Sequence, residues 1–207
     1  MLIKNFQLGQ LETNCYIVTD ENTLESAVID PGDESNTVLD YIESNKLKVK
    51  DIFLTHGHFD HTGAAATISQ ETGAPIWINE KDLGKGTGDF DDFYRYEPEG
   101  QVNLYRDGDE IAVGSMVFKV IETPGHSKGS VTLRCGDVLF TGDTLFAGGA
   151  GRVDLPGGDM ADIMMSLKKI ASLDGDFEVY PGHMDATRLD IERSENPFVQ
   201  AAVKMKE

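Results

Sequence analysis

All five histidines of this 207-residue chain stand where an apolar, strand-like run gives way to a loop. His56, His58 and His61 fall within Thr55-His56-Gly57-His58-Phe59-Asp60-His61, directly after the short run Asp51 to Leu54. His126 lies in Thr123-Pro124-Gly125-His126-Ser127 after Met116 to Ile121, and His183 lies in Tyr180-Pro181-Gly182-His183 after Phe177 to Tyr180. Asp143, in Thr141-Gly142-Asp143, and Asp30, in Ile29-Asp30-Pro31-Gly32, close two further runs. The glycines beside His126, Asp143 and His183 permit the tight turns that let backbone approach closely. A chain that uses these side chains together must bring the ends of several strands to one edge.

The rest of the chain reads as one folding unit over residues 1–207, without a low-complexity tract or a Pro/Ser linker. Leu2 to Leu8, Thr13 to Thr19 and Leu24 to Asp30 read as strands bounded by turn residues. Asp33 or Ser35 is the expected cap of a helix to about Asn45, with Val38, Leu39 and Ile42 on one face. Thr62 to Glu71 reads as a small-residue helix and Pro75 to Ile78 as a strand. Residues 80 to 100 read as irregular, with aromatics at Phe90, Phe93, Tyr94 and Tyr96 near Lys81, Lys85 and Arg95, forming either a rim or lid or a packed surface loop. Strands are then expected near Ile111 to Val113, Met116 to Ile121, Val131 to Cys135 and Val138 to Phe140. Asp159 is the expected N-cap of a helix carrying Ile163, Met164, Leu167 and Ile170, with the Met164-Met165 pair as core packing. A strand at Phe177 to Tyr180 and two short helices follow. Two successive strand-rich then helical runs of similar length predict an α/β protein: a four-layer αββα sandwich with two sheets face to face and approximate internal symmetry.

In an extended segment, residues two apart project to the same side. His56 and His58 are therefore placed to grip one cation, while Asp60 and His61, after the chain turns, are placed to face a second. Imidazole and carboxylate suit zinc, iron or manganese, and zinc is the expected metal. Two divalent cations about 3.5–4 Å apart share a water whose pKa falls towards about 7, giving a hydroxide nucleophile without Ser or Cys. Asp60 is placed to accept its proton. A thiol, with a pKa near about 8.5, departs without a general acid, whereas an amide nitrogen needs one, so thioester hydrolysis asks least of these residues.

His56-Gly57-His58-Phe59-Asp60-His61, His126, Asp143 and His183, with Asp30 upstream, resemble the five motifs of the metallo-β-lactamase superfamily, in order over residues 30 to 183. The Gly-rich stretch Gly148 to Asp159 is similar to the glyoxalase II (hydroxyacylglutathione hydrolase-like) branch, especially its short bacterial members. The resemblance implies two mixed β-sheets flanked by helices and two divalent metals. It implies that His56, His58 and His126 hold the first, that Asp60, His61 and His183 hold the second, and that Asp143 bridges them. Asp30 is implied as a residue orienting the ligands, its alternative being an Asp that closes a Pro-Gly turn. Full-length glyoxalase II proteins carry a C-terminal helical domain with basic and aromatic residues for glutathione, and too few residues follow His183 here for that domain. Arg188 and Arg193 are candidate substitutes, or merely solvated. The resemblance implies hydrolysis of S-lactoylglutathione or a similar small acyl thioester. Its rival is a persulfide dioxygenase with one iron on His56, His126 and Asp143, and lactonase or β-lactamase activity fits less well.

Arg152, in the Gly-rich loop, is the candidate grip for a substrate carboxylate, or else braces the loop against Asp154 or Asp159. Eighteen Lys and Arg against 36 Asp and Glu give a formal net charge of −18. So acidic a surface repels phosphate backbones and anionic membranes, which argues against nucleic-acid or membrane partners. The N-terminal run is broken by polar residues and reads as neither signal peptide nor membrane span. Cys15 and Cys135 lie within predicted strands and lack metal-site spacing, so they read as small buried apolar residues. A cytoplasmic location is expected.

Overall fold

The computed structural model describes residues 1–84, 91–97 and 100–205; Lys85 and Phe90 lie outside them. Each half of the chain builds one six-stranded sheet. The first has the order β1-β2-β3-β4-β5-β6, from Leu2–Leu8, Thr13–Thr19, Glu25–Ile29, Lys48–Phe53, Ile76–Asn79 and Val102–Tyr105. β1, β2 and β3 pair antiparallel, and β3 to β6 pair parallel. The second sheet has the order β14-β13-β10-β9-β8-β7, from Glu110–Val113 (β7), Met116–Glu122 (β8), Val131–Cys135 (β9), Val138–Gly142 (β10), Glu178–Pro181 (β13) and Thr187–Arg188 (β14). Only β10 and β13 pair parallel in it. A small ribbon of Leu145–Phe146 (β11) and Gly149–Ala150 (β12) lies between β10 and the following helix. Both sheets are mixed, as the resemblance implies.

β2 is buried along its whole length because both its faces are covered. Tyr16 and Val18 point into the core between the sheets, against Phe53, Phe118 and Phe140. The alternate residues Cys15 and Ile17 point outward into a second core with Val38, Ile42, Ala65 and Ile68, from the helices Ser35–Ser44 (α1) and Ala65–Thr72 (α3). This strict alternation of faces lets one strand serve two cores. On the far face of the second sheet, Leu139 and Val179 meet Leu167, Ile170, Leu189, Val199 and Ala202, from Met160–Ala171 (α4), Leu189–Glu195 (α5) and Pro197–Lys204 (α6). The layers are therefore helix, sheet, sheet, helix. The fully buried Phe53, Phe118 and Phe140 each contribute about 3 kcal/mol by burial. No helix of the described residues is long and apolar enough to cross a membrane.

Several local expectations are corrected. Neither Asp33 nor Ser35 caps α1; Glu34 holds that position in the left-handed region (φ 49), and Asp33 Oδ1 instead accepts from the Glu34 amide. The helix expected over Thr62 to Glu71 is two pieces, Phe59–Thr62 (α2) and α3, broken where Gly63 packs on the Gly32 carbonyl. The stretch read as irregular contains two 3-10 turns, and β6 follows it unanticipated. Asp159 does cap α4, its carboxylate accepting from the Ala161 and Asp162 amides. Met164 packs on the core below α4, but Met165, one residue further round the helix, is exposed.

Candidate metal centre

The ends of β3, β4, β8, β10 and β13 reach one edge of the sandwich, where they carry Asp30, His56, His126, Asp143 and His183. His58 ends an extended step after β4 and caps α2, whose first turn carries Asp60 and His61. Two triads of ligand-type atoms that share no residue gather there, each within 4.8 Å: His56, His58 and His126; and Asp60, His61 and His183; a third group, Asp30 with His56 and His61, overlaps both. Asp143 reaches both. Its Oδ2 lies 3.4 Å from His126 Nε2 and 3.6 Å from His183 Nε2, and its Oδ1 lies 3.4 Å from His61 Nε2. The side chains assigned from the sequence thus meet in space.

Ring orientation is set from behind. His56 Nδ1 lies 3.0 Å from Thr55 Oγ1, His61 Nδ1 3.0 Å from Asp30 Oδ2, His126 Nδ1 2.8 Å from the Arg152 carbonyl, and His183 Nδ1 3.1 Å from the Leu11 carbonyl. Four rings therefore turn Nε2 towards the centre, while His58 presents Nδ1, 2.9 Å from His126 Nε2. Anchoring the outer ring nitrogen fixes the tautomer and raises the basicity of the inner one. Asp30 is the hub of this layer. It accepts from the Thr55 amide and hydroxyl, both at 2.7 Å, and from His61, which commits its oxygens away from any cation. Its own backbone is left-handed (φ 50), a conformation Asp tolerates better than most residues.

Nε2 of His56 and His61 and Oδ1 of Asp143, all facing the centre, are buried without hydrogen-bond partners. Leaving such groups unpaired costs about 1–3 kcal/mol each, and divalent cations among them would remove that cost. Burial, reinforced by the neighbouring His61 and His58, holds His56 well below its ordinary pKa; burial with His126 and His61 lowers His58 to about 2. Both rings are neutral at pH 7, the form that binds metal. Burial alone would lower His61 as well, but the carboxylates of Asp143, Asp30 and Asp60 outweigh it and hold the ring up at about 9. Burial opposes ionisation of Asp60, yet the His183 hydrogen bond and the charges of His61 and His183 take its carboxyl below the usual range. Imidazole and carboxylate donors together fit borderline divalent metals, and His61 would give up its proton on binding one.

Two features escape sequence reasoning. Asp82, fully out of water, accepts from the Gly57 amide between His56 and His58 and from Ser127 and Gly129 beyond His126. Nothing local marks Asp82; its partners are distant along the chain. The second feature is a cleft of about 530 Å³ above the cluster, lined in part by Leu11, Phe59, Tyr94, Arg152, Met184 and Phe198. Tyr94 sits edge-on to His58 at 4.9 Å, which puts part of the 80–100 stretch at the rim of the site. Arg152 also lines this cleft, but its guanidinium is held by Asp154 through two bonds of 2.7 Å, the loop-bracing arrangement. Arg188 pairs with Asp176, and Arg193 donates to the Ala171, Leu173 and Gly175 carbonyls below α4, so neither reaches the cleft.

Sandwich and cluster together define a metal-dependent hydrolase fold. The chain belongs to the metallo-beta-lactamase superfamily, whose family pattern matches residues 8–183. It is 32% identical to the hydroxyacylglutathione hydrolase GloC of Haemophilus influenzae, over 97% of this chain and 99% of that protein. Among solved structures it is similar to the BLEG-1 B3 metallo-beta-lactamase (30% identity, TM-score 0.84, covering 96% of this chain and 99% of that one). It is also similar to TTHA1623 in a di-iron-bound form (32% identity, TM-score 0.79, covering 94% and 99%).

Proposed function

We propose that the protein is a two-metal hydrolase of small acyl thioesters, of the glyoxalase II type, with S-lactoylglutathione as the reference substrate. The observation that carries this reading is Asp143, whose two oxygens reach members of both triads within 3.6 Å. His56, His58 and His126 would hold one divalent cation and Asp60, His61 and His183 the other, zinc first among the candidates and iron or manganese compatible with the same donors. When bound, such a pair supplies Lewis acidity for the acyl carbonyl and acidifies a water to a pKa near about 7.

The protein's own residues do the rest. Asp60 stays ionised at neutral pH and, 3.3 Å from Thr13 Oγ1 and 3.3 Å from His183 Nε2, is oriented to take the proton of the attacking water. Asp30 and Thr55 hold the rings of His61 and His56. Arg152 keeps its backbone carbonyl on His126 and its side chain at the cleft. A thiolate leaves unaided, so no proton donor beyond this set is required. The 32% identity to a hydroxyacylglutathione hydrolase supports a thioester substrate, the unaided departure of a thiolate supports it over the amide of a β-lactam, and a complete second triad supports it over a single-iron dioxygenase.

The test is metal content per chain on purified protein, paired with assays on S-lactoylglutathione, a lactone, a β-lactam and glutathione persulfide. Two metals per chain with thioester hydrolysis are expected. A single iron with oxygen consumption on the persulfide overturns the proposal, as does faster turnover of the lactone or β-lactam.

A further inference from the structure

We infer that the cleft selects thioesters whose non-reacting arm is apolar, an aliphatic or aromatic group on the acyl or the thiol side, over charged hydrophilic ones. This rests on the thioesterase reading and names the substrate class within it.

The walls of the cleft are the first argument. Leu11, Phe59, Met184 and Phe198 are 53%, 47%, 60% and 44% exposed, and all four line the opening above the ligand cluster. They come from four separate places: the turn between β1 and β2, the start of α2, the loop after β13 and the first turn of α6. A single exposed apolar side chain needs no explanation, but several converging on one concavity mark a binding surface.

The backbone at Met184 is the second. It is left-handed (φ 67), which costs a residue with a β-carbon about 1 kcal/mol. Asn14 holds it there, its Nδ2 donating to the Met184 carbonyl at 2.8 Å and to the Pro181 carbonyl at 3.0 Å. The side chain so positioned gains nothing in the core and stands beside His183 at the mouth of the cleft, a pattern of strain expected where a residue serves a ligand.

Charge is the third. Among the described residues lining the cleft, Arg152 is the one with a guanidinium or ammonium group, and Asp154 already holds it. Divalent cations at the floor would offset Asp60 and Asp143 and draw in the reacting end. Away from them an anionic peptide arm would meet few counter-charges, whereas an alkyl or aryl arm would cover Leu11, Met184 and Phe198 and release water from them. The volume of about 530 Å³ accommodates a group of that size.

The experiment uses the metal-loaded full chain. One series extends the acyl group from acetyl to decanoyl on a single uncharged thiol; a second keeps the acetyl group and extends an alkyl thiol; S-lactoylglutathione is the reference. In one series kcat/KM should rise about two- to fourfold per methylene until the cleft is filled, and the series that rises identifies which arm occupies it. Phe198→Ser, and Met184→Gly, which removes the side chain while relieving its backbone, should flatten that slope. Flat series, or S-lactoylglutathione turned over fastest, overturn the inference and leave the thioesterase reading standing. Flat series combined with self-association that the two variants abolish would assign the cleft to a second copy of this chain and equally overturn it. Hydrolysis of no thioester at all removes the underlying reading, and the inference with it.

Discussion

Asp82 Oδ2 accepts a hydrogen bond from the Gly57 amide at 3.0 Å, while its Oδ1 accepts from Gly129 at 2.7 Å. One buried carboxylate thereby ties the step between His56 and His58 to the turn behind His126, joining both contributors to one triad. The approach is so close that a β-carbon on Gly57 would lie 2.7 Å from the Asp82 carbonyl oxygen. Asp82→Ala should leave buried donors unpaired and cost about 3 kcal/mol of stability. It should also weaken metal retention at His56, His58 and His126 more than at the other triad. Urea denaturation of the metal-free protein and metal content after dialysis against a chelator check the two effects.

Asp30→Asn keeps the shape and the tolerance for φ 50 but replaces one accepting oxygen with a donor. Thr55 or His61 then loses its partner, and the His61 ring is freed to turn. Metal affinity should fall about 10–100-fold, the usual consequence of removing a carboxylate behind a ligating histidine. Competition against a chromophoric chelator measures it; unchanged affinity would reduce Asp30 to closing its Pro-Gly turn.

A β-carbon at Gly182 would stand 2.2 Å from Asp143 Oδ1 and 2.7 Å from His61 Cε1. Gly182→Ala should therefore push the Asp143 carboxylate out of the gap between the triads while leaving the hydrophobic cores intact. The expected result is a protein with near wild-type thermal stability when metal-free but with fewer than two metals per chain, read by elemental analysis and calorimetry.

Asp20, in the turn after β2, accepts from the Ser115 amide at 2.7 Å and the Asn22 amide at 2.9 Å, bonds that hold its carboxyl at about 2. The folded value lies below the ordinary value of 3.8, so the folded state favours the charged form. The resulting stability is fully present above that ordinary value and is lost as pH falls through about 2. Asp20→Asn should be less stable than wild type at neutral pH, and urea midpoints should show the gap closing between pH 4 and pH 2.

Sequence order determined a good deal of this protein, because much of its information is local. β2 is legible as a continuous apolar run, Cys15 to Val18, between turn residues, as a strand covered on both faces requires. The cap at Asp159 needs only its own next three residues. The members of the histidine and aspartate cluster are legible because most stand at a strand end beside a turn, with Asp60 and His61 in the short helix that follows one of them, and sheet geometry carries such ends to a common edge. Other features were decided by contacts between residues far apart. Glu34, not Asp33 or Ser35, begins α1, in a left-handed conformation that local capping rules do not favour, with its side chain bonded to the Gly9 amide. The second helix is interrupted after Gly63, where the Ala64 amide donates to the distant Pro31 carbonyl. β6 exists because β5 offers a parallel edge, which the composition of Val102–Tyr105 does not announce. Asp82 and the apolar cleft belong to the same class: a hydrogen bond or a wall formed across dozens of residues leaves no periodic trace, since its energy depends on where folding places the partner and not on what stands beside it in the chain.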